Sequence, residues 1–437
     1  MSRSLFRVKE HVVPCCHIRQ YPFATIDGAD HELHLAVKQY TPLDNLHPQS
    51  GDVTFLAAHA NGFPKELYEP LWDSLLQASK RSGFRIRNIF ISDVSHQGYS
   101  SVLNEPILGN DPSWWDAPRD LFNLVNHFRK DFVRPIVAIG HSMGGNNLIN
   151  LSLMHPRLFA TMLMIDPVVA RKASARGNWN PAQMSSIRRD RWPTRKAALE
   201  AFKRSKFYQT WEPRVLELWV ENGLRDLPTK IYDNTAESRP YEPMEKEVTL
   251  RTPKHQEVFT FLRPTPEASM LVDLGLPERL SHPDYEPVHG AAPFYRPEPI
   301  RTFQNLPLLR PSVFYIFGEH SDLSQPEMMK DKLENTGTGL GGSGGVAAGR
   351  VQHVVIKDTG HLIPMEKVDE TAQECANWLR SEIKRFKEEE DMWKAVWSKV
   401  PEREKFTINH KMNEALGGDL GAGARKGGNG KGKKSKL

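Results

Sequence analysis

Cysteine is scarce in this chain: three in 437 residues, two of them adjacent (Cys15, Cys16) and the third at Cys375. Three thiols so placed cannot form a disulfide framework, and a reducing compartment is expected. Long apolar runs are missing too. No stretch of 18 apolar residues occurs, and the opening "MSRSLFRVKEHVV" has no apolar signal-peptide core, so neither a transmembrane segment nor a secretory leader is expected. No Cys/His cluster has zinc-site spacing, and the glycine-rich "TGTGLGGSGG" lacks the Lys-Ser/Thr of a phosphate-binding loop. No metal and no cofactor is expected. The glycine-rich run reads instead as a flexible surface loop.

An excess of one charge is also lacking outside the tail. The formal net charge is +5, but the last thirteen residues, "RKGGNGKGKKSKL", hold six Lys or Arg and no acid, leaving 52 basic against 53 acidic residues. That balance removes the main electrostatic argument for a nucleic-acid partner. Hydrophobic residues make up 39%, enough for a sizeable core, and 437 residues suggest two or three domains or one domain with an insertion.

One junction carries chemistry. In "RPIVAIGHSMGGNNLINLSLMHP", four apolar residues, Ile136 to Ile139, read as a central parallel strand. After Met143, Leu148, Ile149, Leu151 and Met154 recur at helical spacing. Ser142 therefore sits on a strand-to-helix turn between Gly140 and Gly144, which have no Cβ to obstruct it. This is the Gly-x-Ser-x-Gly nucleophile elbow, and Ser142 is the expected nucleophile.

Strands and helices alternate on either side. "DVTFLAAHANGF" reads as a buried strand breaking into a polar loop, "KELYEPLWDSLLQASKRSG" as a helix stopped by Gly83, and "FRIRNIFIS" and "ATMLMIDPVV" as further strands. "HIRQYPFATI" and "HELHLAVKQY" read as an antiparallel hairpin at the entry. The alternation predicts an α/β fold with a mostly parallel sheet. It stops between Val168 and about Phe303, where helical, aromatic-rich and proline-rich sequence reads as an inserted, mainly helical cap. The expected division is 1–167 and 304–390 for the two parts of the core, 168–303 for the cap, and 391–437 for a C-terminal helix and basic tail. In "EDMWKAVWSKV", Met392, Trp393, Val396, Trp397 and Val400 share one helical face, expected to pack on the domain.

A serine needs a base to take its proton and a third group to orient that base. His361, in "TGHLIPME" after the last strand, occupies the last place in the chain order of such triads. The acid is open between two residues. Asp322, in "IFGEHSDLS", follows the strand where the acid most often lies, one residue further from Gly318 than the usual Gly-x-x-Asp spacing, and is the expected choice; Asp166, ending "MLMID" ahead of Pro167, is the alternative. An oxyanion needs two backbone donors. Met143 is expected to supply one, and Asn61 of "HANGF" the other, with Phe63 as second choice.

Taken in order, "HANGF", "SDVSHQGYS", "GHSMGG" and "GHLIPME" resemble the α/β-hydrolase superfamily over roughly residues 15–387. The terminal Ser435-Lys436-Leu437 matches the peroxisomal import signal, on a basic, glycine-rich segment able to reach an import receptor. With the "TPKHQEVFT" and "TGTGLGGSGG" segments, the chain is similar to fungal peroxisomal α/β-hydrolases of the lipase and toxin-biosynthesis type. The resemblance implies a peroxisomal serine hydrolase acting on a small acyl substrate, with no cofactor, and a place in a secondary-metabolite pathway. A fatty-acyl ester is the expected substrate, an acyl-CoA thioester the close alternative. A non-catalytic binding protein on the same scaffold is the rival reading.

Overall fold

The computed structural model describes residues 2–28, 30–172, 178–232 and 246–417; Ser435, Lys436 and Leu437 lie outside them. Eight strands make one sheet: β1 Phe6–Pro14, β2 His34–Pro42, β3 Val53–Ala58, β4 Ile86–Ser92, β5 Ile136–His141, β6 Thr161–Ile165, β7 Ser312–Gly318 and β8 Val351–Ile356. Their spatial order is β1-β2-β4-β3-β5-β6-β7-β8. β1 and β2 are antiparallel to their neighbours, and every pairing from β4 to β8 is parallel.

The central strands are apolar at nearly every position because both faces are covered. Along β3 the side chains alternate between two cores: Phe55 and Ala57 join Trp72, Ile89 and Ile139 on one face. Leu56 and Ala58 join Phe90, Leu148 and Ile149 on the other. The covering helices follow the sequence periodicity. α1 Glu69–Ser82 buries Leu71, Trp72, Leu75 and Leu76, and stops at Gly83, whose φ of 79° gives the left-handed C-cap that only glycine takes cheaply. α2 Gly98–Asn104, α3 Asp116–His127 and α4 Met143–Met154 complete this half.

β6 and β7 pair directly, Thr161 with Ser312 through Ile165 with Ile316, so everything between them leaves the sheet and returns beside the strand it left. The excursion holds α5 Trp179–Ile187, α6 Arg195–Arg204, α7 Pro213–Asn222, α8 Lys254–Phe261 and α9 Glu298–Asn305. It is less purely helical than the sequence suggests. Val248–Leu250 pairs antiparallel with both Arg191–Trp192 and Leu224–Asp226. Trp192, Phe202, Trp211 and Trp219 of this excursion belong to the same apolar cluster as Phe55 and Trp72. Residues 1–384 accordingly form one compact unit and 385–437 a second. α10 Pro326–Asn335 and α11 Val368–Trp397 follow in the chain.

Two expectations are corrected. The partner of β2 is Phe6–Pro14, not residues 17–26, which hold a single helical turn at Pro22–Ala24. The glycine-rich run is built into the fold rather than flexible: Gly337 and Gly339 donate to the carbonyls of Leu306 and Pro307, and Ser343 to that of Leu309. Among the described residues no helix is long and apolar enough to cross a membrane.

Candidate active site

Ser142 joins β5 to α4 with φ 58° and ψ −120°, a backbone conformation that L-residues rarely hold. The two flanking glycines are required by contact. A Cβ on Gly144 would lie 2.2 Å from the Ala58 carbonyl oxygen, and one on Gly140 would lie 2.6 Å from Gly145 Cα. The turn thus lifts Ser142 to the carboxyl edge of the sheet, at the start of α4, where unsatisfied N–H groups face the serine.

His361 lies on the loop after β8, and its Nε2 is 2.8 Å from Ser142 Oγ. Its Nδ1 is 2.6 Å from Asp166 Oδ2. This is the alternative carboxylate, and Asp322 is corrected. Asp166 ends β6, the strand next to β5, and is fully buried, whereas Asp322 is exposed in the turn Asp322–Ser324. The turn after β7 contributes hydroxyls instead: Ser321 donates to Asp166 Oδ2, and Ser324 donates to Oδ1 at 2.5 Å. Burial alone would push the Asp166 carboxyl up; the hydrogen bonds from His361, Ser321 and Ser324 outweigh it and hold the group below the usual carboxylate range.

In the loop after β3, the backbone donors on either side of Asn61 are committed. Ala60 N–H donates to Tyr68 Oη, Gly62 N–H to Gln97 Oε1, and Phe63 N–H to the Ala60 carbonyl. Phe63 is therefore committed and cannot serve as the second-choice donor. Among the described residues, the N–H groups of Asn61 and Met143 have no protein acceptor, and neither has that of Gly144 in the first turn of α4. Gln97 Nε2 donates to Asn61 Oδ1 at 2.6 Å and to Thr260 Oγ1 at 3.0 Å, while Asn61 Nδ2 donates to the Glu257 carbonyl at 3.1 Å. Glu257 lies close over Gly62, where a Cβ would sit 3.0 Å from its carboxyl carbon. Core and cap thus hold this loop jointly. Gln97 was unremarkable in the sequence, beyond its place in the "SDVSHQGYS" turn.

A second chain of bonds runs beneath the serine. The His361 carbonyl can only accept, so His141 Nε2 carries the proton that reaches it at 2.9 Å. His141 Nδ1 then accepts from Tyr68 Oη–H at 2.9 Å. Burial holds His141 neutral, with its pKa pushed down to about 3. Elsewhere Glu319, His320 and Asp358 bring ligand-type atoms within 4.8 Å of one another, all exposed and outside this cluster.

With hydroxyl, imidazole, buried carboxylate and uncommitted N–H groups in place, the arrangement has the parts for acyl transfer through a covalent serine intermediate. The family profile for the alpha/beta hydrolase fold matches residues 60–368. A type I acyl-CoA thioesterase, mpaH of Penicillium roqueforti (strain FM164), is 39% identical over 404 residues, covering 90% of this chain and 92% of that protein. The abhydrolase domain-containing protein AKT2 of Alternaria alternata is 26% identical over 249 residues, 57% of this chain and 84% of its own. Among solved structures, the peroxisomal alpha-beta-hydrolase Lpx1 of Saccharomyces cerevisiae superposes with a TM-score of 0.65 at 15% identity, over 93% of this chain and 99% of that one.

Proposed function

The chain belongs to the α/β-hydrolase family, and from that premise we propose that it is a serine thioesterase that hydrolyses an acyl-CoA in fungal secondary metabolism. The observation that carries the hydrolytic part is the Ser142–His361–Asp166 line, with contacts of 2.8 and 2.6 Å. The thioester part is supported by relatives named acyl-CoA thioesterases at 39% identity over 90% of the chain.

In this reading Ser142 Oγ attacks the thioester carbonyl carbon as His361 Nε2 takes its proton. Asp166 holds the imidazole in the tautomer that exposes Nε2 as base, and stabilises the imidazolium. The N–H groups of Met143 and Asn61 receive the oxyanion. Collapse expels the thiol, protonated by His361, and leaves an acyl-Ser142 ester. Water, activated by the same imidazole, attacks that ester and releases the acid. An oxygen ester would follow the same course, and only the leaving group differs. The terminal Ser435-Lys436-Leu437 supports delivery to the peroxisome through its import receptor.

The experiment compares thiol release from a series of acyl-CoAs with hydrolysis of p-nitrophenyl esters, for wild type and Ser142→Ala. The proposal expects higher kcat/KM on an acyl-CoA, and a loss of at least roughly 10⁴-fold in Ser142→Ala. Higher kcat/KM on the oxygen esters would return the substrate to a fatty-acyl ester. Equal activity in both proteins would refute the mechanism. Failure of a fluorophosphonate to label Ser142 would favour a non-catalytic scaffold.

A further inference from the structure

α10 carries a lysine close behind the triad carboxylate. Lys332 is 1% exposed, and among the described residues no carboxylate pairs with it directly. Asp331, its neighbour in the chain, is taken by Arg171 at 2.7 Å. A lysine is almost never fully buried without a partner, so the groups that hold this one are informative.

Lys332 Nζ donates to the carbonyls of Leu323 at 3.2 Å and Met328 at 3.4 Å, and stands 5.8 Å from the centre of the Phe317 ring. Leu323 is the middle residue of the turn Asp322–Ser324. Ser321 and Ser324, on either side of it, are the residues whose hydroxyls donate to Asp166. The other bonds of this turn are local. Leu323 N–H donates to Ser321 Oγ at 3.2 Å, and Ser324 N–H to the Ser321 carbonyl at 3.0 Å. Lys332 thus ties to α10 the turn that serves the triad acid.

We propose that Lys332 is a positioning residue of the hydrolytic site: its ammonium holds the Leu323 carbonyl, and so keeps the Ser321 and Ser324 hydroxyls aimed at Asp166. The inference rests on the hydrolytic reading of Ser142, His361 and Asp166.

The hold depends on charge, because charge-assisted hydrogen bonds are roughly twice as strong as neutral ones. Burial pushes the Lys332 amine down to about 8, against the pull of Asp166 and Asp331, which favour its charge. The other titratable groups around it are few. Tyr315 of β7 is bonded to Thr336 and kept neutral by burial, and His353 of β8 lies 6.0 Å from the Phe317 ring. Asp322 in the turn is exposed, and the segment Leu306–Leu308 packed on α10 has no titratable residue. As pH rises through about 8 the ammonium becomes a neutral amine, the turn is held less firmly, and kcat should fall.

The test follows p-nitrophenyl ester hydrolysis by the full chain from about pH 6 to 10, with the uncatalysed rate subtracted and circular dichroism as the check on folding. Wild-type kcat should fall at least about threefold between pH 7 and 9.5, with KM nearly constant. Lys332→Met should lower kcat roughly tenfold at pH 7 and remove that fall. Ser321→Ala/Ser324→Ala has no hydroxyls left to aim, so it should lack the fall as well. Adding Lys332→Met to it should change kcat by less than about twofold, whereas a lysine that merely fills the core would act additively. Should Lys332→Met not fold, the pH profiles of wild type and the serine variant decide. The proposal is overturned by a level wild-type profile, by an alkaline fall that persists in either variant, or by additive losses. Activity that Ser142→Ala retains refutes the hydrolytic reading and this inference with it. Activity lost in Ser142→Ala, together with any of the overturning results, refutes the inference alone.

Discussion

His141, the residue before the nucleophile, donates through Nε2 to the carbonyl oxygen of His361, the residue whose ring faces that nucleophile. The elbow therefore holds the backbone of the base as well as presenting the serine. Tyr68 extends the link, since its hydroxyl donates to His141 and accepts from Ala60 N–H in the oxyanion loop. Base loop and oxyanion loop share one buried hydrogen-bonded line, and a rigid catalytic geometry needs such support.

Tyr68→Phe removes the middle of that line with little change in volume. We expect kcat to fall roughly tenfold, with KM nearly constant, because the groups that move act on the transition state. Steady-state kinetics on a soluble ester checks this. A change confined to KM would show that the line does not serve the catalytic loops.

The acid is the sharpest case. Asp166→Asn should lower kcat by about 10⁴, through loss of the imidazole tautomer that keeps Nε2 free to accept. Asp322→Asn, in an exposed turn, should stay within about threefold of wild type. Side-by-side kinetics with circular dichroism of both variants decides it; the reverse order would return Asp322 to the triad.

Gln97→Leu deletes three hydrogen bonds that fix Asn61, Gly62 and Thr260. Loosening one oxyanion donor without deleting it should lower kcat by roughly tenfold to a hundredfold, less than loss of a whole donor. Fluorophosphonate labelling of Ser142 should continue at a reduced rate, which separates this effect from unfolding.

Among the described residues, four buried histidines, His59, His96, His141 and His282, have lowered pKa values and set the acid limit of the fold. Burial lowers the pKa of His59, and takes those of His96 and His141 down to about 3. The unfolded chain binds protons at these positions below its ordinary histidine pKa of about 6.5, while the folded chain does not. Stability must then fall as pH drops from about 6.5 toward 3, by up to about 1.4 kcal/mol per pH unit for each histidine. Urea midpoints between pH 7.5 and 5 should show this slope. His96→Gln should flatten it, and an unchanged slope would contradict the neutral burial of His96.

Where function is local, one stretch of sequence suffices. Gly140, Ser142 and Gly144 were legible because the steric demand of a strand-to-helix turn acts within a few residues, and His361 because chain order and its flanking Gly360 and Pro364 mark one loop. The period-2 and helical patterns marked β3 to β8 and the helices that cover them for the same reason. What the linear pattern could not decide was the choice between Asp166 and Asp322. Both end adjacent parallel strands and both keep the order of the triad. The decision belongs to the register of β6 beside β5, to the exposed turn that carries Asp322 away, and to the Ser321 and Ser324 hydroxyls brought from the next strand. The same holds for Gln97, which meets Asn61 across 36 residues of chain, and for Glu257, which reaches that loop from the cap across 196. Hydrogen bonds at such separations leave no periodicity in the chain. They exist only because the folded sheet and cap set their partners side by side.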